Sequence, residues 1–240
     1  MGIEAFCKTD IGRSRQSNQD SFLVNQDLGL FVVADGMGGH SGGEVASAVA
    51  VESVEDVIAR PPKENLSPRE LLTHAYSEAS RRIFDKAAYE RPELLGMGTT
   101  MVMLHRFGNS MYICNVGDSR CYLFRNHHLW QVTEDHSLVN EQLRAGLINE
   151  DQVKNFVGRN VITRSVGYER EVIVDVYERP LTKGDVFLLC SDGLSGMITD
   201  QKISEILSSN SPEKATAACI ENALTNGGLD NVTVLIVAIT

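Results

Sequence analysis

Short apolar runs that stop at an aspartate are the main pattern along this chain. Runs such as Phe31–Ala34 and Val186–Cys190 have the length and the β-branched or aromatic content of buried strands. An acid at the end of such a strand is held at the rim of a rigid sheet. Four acids occupy this position, and all but the last stand beside a glycine: Asp35, Asp118, Asp192 and Asp230.

Helical spacing of apolar residues predicts helices both early and late in the chain. The first should run from about Glu44 to Arg60. The second should begin at Ser67-Pro68-Arg69-Glu70, where the serine can cap, the proline suits the first helical position and the glutamate completes a capping box. Two further helices are predicted at about Asp200–Ser208 and Ser211–Leu224.

The middle of the chain, from Thr99 to Val132, has the pattern of short strands joined by tight turns. Turns this short, such as Arg106–Asn109, require antiparallel hairpins rather than parallel crossovers. Further strands are predicted at Val172–Tyr177, Val186–Ser191 and Val232–Ile239. Helices grouped around antiparallel strands indicate an α+β fold of stacked sheets with helices outside.

The segment Glu141–Arg164 interrupts the strand series. It is weakly helical in pattern and rich in Asn, Gln and Gly. Such an insertion is either a surface excursion without a role or a mobile flap beside a functional site. Its pattern does not decide between these two interpretations.

Length, net charge and cysteine content exclude several classes of protein. A chain of 240 residues fits one domain, and a net charge of −10 argues against nucleic acid or an anionic membrane as the main partner. The five cysteines are scattered and odd in number, as is typical of reduced thiols. The N-terminal residues lack the pattern of a signal peptide, and no apolar stretch reaches membrane-span length, so we expect a cytoplasmic protein.

Converging strand-end carboxylates predict a site for a hard metal ion. Such carboxylates repel one another unless a cation lies between them, and oxygen ligands favour Mg²⁺ or Mn²⁺ over zinc. The alternative for any single Asp-Gly pair is ordinary turn chemistry. Two guanidiniums near an acid, in Arg13–Asp20, could also bind phosphate oxygens or belong to a solvated loop.

Taken together, these motifs resemble the metal-dependent type 2C Ser/Thr protein phosphatases in their compact bacterial form. The resemblance covers nearly the whole chain, through Thr9–Gly12, Asn18–Asp20, ADGMGGHSGGEVAS, GMGTT, VGDSR, LLCSDGL and GGLDNVTV. It implies a single catalytic domain over residues 1–240 and a four-layer α-β-β-α sandwich with two central antiparallel sheets. The insertion at about 141–164 would then be flap-like.

The resemblance also implies which residues hold the ions. Asp35 would bridge two Mg²⁺ or Mn²⁺ ions, and Gly36 would add its carbonyl oxygen. Asp192 and Asp230 would bind the first of these ions. Asp118 would serve, with Asp192, a third and weaker ion.

Further roles follow from the same resemblance. Asp20 would contact the ions through water, and Arg15, five residues before it, would bind the phosphate. Met37 stands where animal members have a histidine proposed as general acid. His40 could replace that histidine, or could instead support the ions or the substrate. Gln19 replaces a glutamate that helps to bind the second ion through water.

The implied activity is hydrolysis of phosphoserine and phosphothreonine by direct attack of a water activated by two metal ions. The implied partners are phosphorylated proteins, including a cognate Ser/Thr kinase or its substrates, and the chain is expected to be a monomer. The alternative is a catalytically degenerate phosphoprotein-binding module of the same fold. The intact set of acids argues against that alternative.

One rival lies within the same sequence. Cys114–Arg120 matches C-x-x-G-x-x-R, the phosphate loop of cysteine-based phosphatases, which need a reactive thiolate at a helix N-terminus. Asp118 would repel phosphate there, and Arg120 leads into a run that is typical of a strand. Cys114 is therefore predicted to be a strand residue. A two-metal nuclease is disfavoured by the acidic balance of the chain.

Overall fold

Two antiparallel sheets face each other at the centre of the computed structural model. It describes residues 1–153 and 156–240 and, for His40 and Ser41, the backbone alone. The strands of the described residues are β1 (Ile3–Asp10), β2 (Asp20–Asn25), β3 (Leu30–Met37), β4 (Gly98–Thr99), β5 (Met101–Phe107), β6 (Ser110–Val116), β7 (Arg120–Arg125), β8 (His128–Gln131), β9 (Asp175–Pro180), β10 (Val186–Cys190) and β11 (Val232–Ile239).

The strand order brings acidic motifs from distant parts of the chain into neighbouring strands. One sheet has the order β1-β11-β10-β7-β8, and the other has the order β2-β3-β5-β6-β9, with the short β4 paired to β3. Every pairing in both sheets is antiparallel. In the register of β2 and β3, Asp20 lies directly opposite Asp35.

Helices cover the outer face of each sheet. In the described residues they are α1 (Gly39–Ala59), α2 (Pro68–Asp85), α3 (Leu138–Arg144), α4 (Glu150–Val153), α5 (Asp192–Ser195), α6 (Asp200–Ser209) and α7 (Pro212–Thr225), with a π-helical turn at Lys86–Glu90 and a 3₁₀ turn at Pro92–Leu94. Helices α1 and α2 pack on the β2-containing sheet, and α5 to α7 pack on the other. The predicted four-layer α-β-β-α sandwich is confirmed.

The continuous apolar runs arise because the central strands are buried on both faces. Along β3, Phe31 and Val33 point between the sheets, whereas Val32 and Ala34 point toward α1 and α2. Alternate side chains of a strand point to opposite faces, so a strand in an inner layer needs apolar residues at every position. Along β10, Phe187 likewise points between the sheets.

The structure also differs from the predicted elements. The segment Val116–Arg120 is not a hairpin: β6 and β7 lie in different sheets, and the turn with Asp118 crosses between them. Strand β9 begins three residues later than predicted, and α1 begins at Gly39 because the glycine-rich stretch forms its first turn. Strands β1 and β2 were not predicted, since their residues are mostly half-buried and lack a continuous apolar run.

The predicted insertion contains the end of α3, which begins at Leu138, and the whole of α4. Its start and end are joined by an isolated antiparallel bridge between Ser137 and Ile162, and the Leu138 N–H donates to the Val161 carbonyl at 2.8 Å. The segment therefore leaves the body of the protein and returns to the same place. Among the described helices, none is both long enough and apolar enough to cross a membrane.

The N-terminus of α2 supplies a test of the fold. The capping box predicted at Ser67 is present: Glu70 N–H donates to Ser67 Oγ at 3.4 Å, and Ser67 N–H donates to Glu70 Oε2 at 2.8 Å. We expect Ser67→Ala to destabilise the protein by about 1 kcal/mol. In a domain of this size that lowers the Tm by about 2–4 °C. Thermal unfolding measures the change.

Ser211→Ala is the matched control. Ser211 also precedes a proline at a helix start, yet within the described part of the chain its side chain makes no capping hydrogen bond. Its Tm should stay within about 1 °C of the wild type, since surface substitutions without such a contact are nearly neutral. Equal losses in both variants would contradict the capping explanation.

Candidate metal centre

A cavity of about 610 Å³ lies where the two sheets meet, and acids from both sheets line it. Asp35 comes from the β2-containing sheet, whereas Asp192 and Asp230 adjoin β10 and β11 of the other sheet. Asp118 lies in the turn that crosses between the sheets. The four acids that the sequence singles out therefore meet at one place, together with Arg15.

Asp35 is the most firmly held of these acids. It lies inside β3 rather than after it, and its N–H donates to Thr100 Oγ1 at 3.0 Å. Its carbonyl accepts from Thr100 N at 2.9 Å and from Thr99 Oγ1 at 2.8 Å. Burial, and then the nearby carboxylates beginning with Asp20, raise the pKa of Asp35 well above 3.8. A charged Asp35 is thus costly unless a cation accompanies it.

Asp20 stands behind Asp35, on the neighbouring strand. Its Oδ2 accepts hydrogen bonds from Ser191 Oγ at 2.8 Å and Thr233 Oγ1 at 2.6 Å. Burial raises the pKa of Asp20 to about 6, although these two hydroxyls oppose the rise. Neither Ser191 nor Thr233 was predicted as a site residue. Their signal in the sequence is that they lie within the motifs SDGL and DNVTV, next to or near the predicted acids.

Asp192 and Asp118 face the cavity from the other side. Burial raises the pKa of Asp192, and the Asp230 carboxylate adds to the rise. Burial raises the pKa of Asp118 to about 7, with Asp192 as the next cause. Both groups are therefore easier to protonate than ordinary carboxyls, as expected for like charges placed together.

The donor set fits a hard divalent cation. Among the described residues, the buried Oδ1 atoms of Asp20 and Asp192 have no hydrogen-bond partner, which is costly for a carboxylate. In the described part of the chain, no group of three or more His, Cys, Asp or Glu side chains lies close enough together to hold a metal ion as it stands. The acids line an open cavity instead. An open oxygen-lined cavity suits Mg²⁺ or Mn²⁺, because Mg²⁺ keeps several of its waters.

Glycines let the main chain approach this cavity closely. A Cβ at Gly36 would lie 1.9 Å from the Gly43 carbonyl oxygen, and a Cβ at Gly43 would lie 2.6 Å from the Gly36 carbonyl oxygen. The end of β3 and the first turns of α1 therefore pack backbone to backbone. Gly36, Met37 and Gly38 all line the cavity.

Arg15 lies at the rim of the cavity, with its side chain half-exposed. Its Nη2 donates to Asp230 Oδ2 at 2.6 Å, and this hydrogen bond is the first cause of the raised pKa of Arg15. Arg13 is placed differently: its main-chain N–H donates to the Gly228 carbonyl, and its side chain is not part of the cavity lining among the described residues. Of the two arginines, the structure brings only Arg15 to the acids.

Asn231, which was not predicted as a site residue, holds the loop that carries Arg15. Its Nδ2 donates to the carbonyls of Ile11 and Ser17, each at 2.9 Å, and its Oδ1 accepts from Gln19 N at 2.8 Å. Its own N–H donates to Asp230 Oδ1 at 2.8 Å. One amide side chain thus fixes the loop and the acid to each other.

Two further sequence predictions concern His40 and Gln19. His40 lies in the first turn of α1, but its side chain falls outside the described part of the structure. Its predicted role therefore stays a prediction. Gln19 lines the cavity, and its Nε2 donates to the Gly39 carbonyl at 3.3 Å.

The alternative hypothesis, a cysteine-based phosphate loop at Cys114–Arg120, is wrong. Cys114 lies inside β6, fully buried, and it packs in the apolar cluster beneath α1 and α2. Burial raises the pKa of its thiol far above the ordinary value of 9.0. A thiol in a strand and without access to solvent cannot act as a phosphate-attacking nucleophile.

Comparison with known proteins agrees with this geometry. The sequence profile described as "Protein phosphatase 2C" matches residues 11–224. The serine/threonine phosphatase Stp of Listeria monocytogenes is 41% identical over 243 residues, covering 98% of this chain and 95% of the relative. The crystal structure of the Mycobacterium tuberculosis serine/threonine phosphatase PstP/Ppp superposes with a TM-score of 0.91 at 33% identity, covering 100% of this chain and 99% of that one.

A second solved structure contains metal ions. It is the catalytic domain of the serine threonine protein phosphatase PstP in complex with two manganese ions. The TM-score is 0.88 at 33% identity, and the match covers 99% of both chains. The similarity thus spans all four layers and the cavity between them.

The crowded carboxylates give a test in the absence of ions. Asp35→Asn should raise the Tm in EDTA at pH 7.5, because the amide carries no charge. Folding raises the pKa of Asp35, so the protonated carboxyl favours the folded state. This contribution to the free energy of unfolding is lost as the pH rises above about 3.8. The difference between variant and wild type should therefore be small at pH 4.5 and larger at pH 7.5. Each difference of about 1 kcal/mol in the free energy of unfolding shifts the Tm by about 2–4 °C.

Asp27→Asn is the control, since Asp27 is exposed in the β2–β3 turn and outside the cavity. In saturating Mn²⁺ the order should reverse, because the wild type gains more from the ion than Asp35→Asn does. A lower Tm for Asp35→Asn in EDTA at pH 7.5 would show that the Asp35 charge is not a burden in the ion-free protein.

Proposed function

The chain belongs to the protein phosphatase 2C family, and from this membership we propose that it is a metal-dependent phosphatase acting on phosphoserine and phosphothreonine in proteins. The observation that carries the proposal is a cavity in which acids of both sheets meet Arg15. Anionic ligands alone would repel a phosphate. Cations held by these acids would remove that conflict and leave a positive site for the substrate.

The two core ions would be held mainly by Asp35, Asp192 and Asp230. Asp35 is proposed to bridge them, since it is fixed within β3 and faces the acids of the opposite sheet. Gly36 would add its carbonyl oxygen, and its position in the cavity lining supports this role. Asp192 and Asp230 would bind the first ion. Asp192 Oδ1, which is buried without a hydrogen-bond partner among the described residues, would be one of the donors.

Two further acids are proposed to act outside the core pair of ions. Asp118 would bind a third and weaker ion with Asp192, whose charge is, after burial, the largest cause of the raised pKa of Asp118. Asp20 would act through water, because Ser191 and Thr233 already use its Oδ2 and only Oδ1 is left.

When bound, the ions would lower the pKa of water enough to supply hydroxide near neutral pH and would neutralise charge on the phosphoryl oxygens. The remaining work falls to side chains of the protein. Arg15 would orient the phosphate by a bidentate contact, for which a guanidinium is suited. Its bond to Asp230 holds it at the rim. His40 would protonate the departing serine or threonine oxygen.

The substrates are proposed to be phosphorylated proteins. Phosphoserine and phosphothreonine arise through protein kinases, so a cognate Ser/Thr kinase or its targets would be the partners. We also propose a monomer in the cytoplasm. The thiols support a reducing compartment: all five cysteines are free, and four of them are buried.

The insertion at about 141–164 is proposed to contact the substrate as part of a single catalytic domain. Asn160 and Ile162, near its end, line the same cavity as the acids. A loop beside a rigid site is a common place for specificity. This position favours the flap interpretation over a surface excursion without a role.

Metal dependence is the primary test. Turnover of p-nitrophenyl phosphate and of a phosphothreonine peptide should require Mn²⁺ or Mg²⁺ and should stop in excess EDTA. Alkylation of thiols with iodoacetamide should leave the rate unchanged, because Cys114 is buried. Asp35→Asn should lose nearly all activity even in saturating Mn²⁺.

The possible results separate the hypotheses. Activity that persists in EDTA and disappears on alkylation would overturn the proposal in favour of cysteine chemistry. Specific binding of the phosphopeptide with no turnover in any divalent ion would indicate the degenerate binding module.

A pair of substrates tests His40. p-Nitrophenolate leaves without a proton, whereas a serine alkoxide needs one. If His40 is the general acid, His40→Ala should reduce kcat for a phosphoserine peptide by about 10²-fold, with little change for p-nitrophenyl phosphate. His74→Ala, an exposed substitution on α2 and outside the cavity, is the control. An equal loss on both substrates would assign His40 to supporting the ions or the substrate.

A further inference from the structure

His136 is a buried histidine outside the cavity, and it is hydrogen-bonded to the turn that carries Asp118. The Gly117 N–H donates to His136 Nδ1 at 3.1 Å, and the His136 N–H donates to the Gly117 carbonyl at 3.0 Å. The two residues thus form a closed pair of hydrogen bonds. Because Nδ1 accepts, the other ring nitrogen carries the proton.

The second ring nitrogen of His136 is also used. Nε2 donates to Asp175 Oδ2 at 3.2 Å, and Asp175 Oδ1 accepts from Arg164 Nη1 at 2.8 Å. Tyr177 Oη donates to the same Oδ2 at 3.3 Å. Asp175 therefore fixes the tautomer and the ring plane of His136, as a carboxylate does for a histidine that binds a metal. Burial lowers the pKa of His136, which keeps the imidazole neutral.

The main chain of His136 reaches the wall of the cavity. Its carbonyl accepts from Thr163 N at 2.9 Å, and the next residue, Ser137, pairs with Ile162. Ile162 and Asn160 line the cavity. One residue therefore touches both the Asp118 turn and the end of the insertion.

The turn is fixed on its opposite side by Thr100. Gly117 has φ +102°, and a Cβ at this position would lie 2.6 Å from Thr100 Cβ. Thr100 Oγ1 and Ser119 Oγ share a hydrogen bond of 2.7 Å, and Thr100 Oγ1 also accepts from Asp35 N. The Asp118 turn is thus held between a contact of Asp35 and His136. Asn115 Nδ2 also donates to the Gly117 carbonyl at 3.2 Å. Removing His136 would therefore leave the Thr100 contact and this one hydrogen bond.

We propose that His136 is a positioning residue, which fixes the Gly117–Asp118 turn for binding of a divalent ion and ties that turn to residues 160–164 at the cavity wall. This inference rests on the proposed role of Asp118 as a ligand. It assigns to His136 no contact with substrate. Substitution of His136 should therefore change only the affinity for the weaker ion and the rate of amide hydrogen exchange at the cavity wall.

Two substitutions separate the bonds of His136. The amide of Gln reaches about as far as Nε2, and the amide of Asn reaches about as far as Nδ1. His136→Gln should therefore lose the acceptor for Gly117, whereas His136→Asn should keep it. Mn²⁺ binding is counted by electron paramagnetic resonance of the free ion. We expect His136→Gln to weaken the weakest ion about tenfold and to leave the tighter ions unchanged.

Hydrogen exchange gives a readout apart from activity and affinity. In EDTA, peptides covering Asn115–Ser119 should exchange faster in His136→Gln than in the wild type, with His136→Asn between them. Adding Mn²⁺ to occupy the weakest site should slow exchange at residues 160–166 in the wild type and not in His136→Gln. Loss of a merely structural contact would not remove this response to the ion.

Asp118→Asn completes the design. It should abolish the weakest ion, and in that background His136→Gln should change Mn²⁺ binding no further. Unchanged ion binding in Asp118→Asn would overturn the role of Asp118 itself. Loss of the ion in Asp118→Asn but wild-type binding in His136→Gln would overturn the inference alone. If His136→Gln fails to fold, Asp175→Asn replaces it, with an expected weakening of about threefold in the weakest ion.

Discussion

Mutual repulsion among buried carboxylates is the constraint on which this structure depends. Burial and neighbouring charge raise the pKa values of Asp20, Asp35, Asp118 and Asp192, so the protein spends folding free energy to hold these groups together. Only a rigid frame can do so. The frame is a pair of sheets with apolar residues on both faces of their central strands, covered by helices on each side. The acids stand where these two sheets meet.

The sequence predicts much of this arrangement because its strongest signals are local. Apolar runs buried on both faces identify β3, β10 and β11, and glycines beside Asp35, Asp118 and Asp192 identify the turns and close approaches. Strands β1 and β2 lie at the outer edges of their sheets, where most residues are half-buried and the apolar signal is weak. The hairpin predicted across Asp118 was wrong, since turn length alone cannot show that a chain changes sheets.

The supporting contacts could not be predicted, because they join residues far apart in the sequence. Ser191 and Thr233 reach Asp20 across 171 and 213 positions, and Asn231 reaches Gln19 across 212. Ser, Thr and Asn are ordinary surface residues in any single sequence, and only the folded structure brings them to a buried acid. The insertion has the same difficulty: its polar pattern predicts weak helices, whereas its place beside the cavity follows from the bridge between Ser137 and Ile162.

The way each acid is held bears on how firmly it can bind an ion. Asp20 and Asp35 face each other in the register of two paired strands, so neither can move without distorting a sheet. Asp118 lies in a turn that belongs to neither sheet. Its position depends on packing against Thr100, on two hydrogen bonds to His136 and on one from Asn115. Ligands that are less constrained bind a metal ion less tightly, because binding must then order them. The proposed division into two core ions and a weaker third ion is the one that the crossing between the sheets would impose.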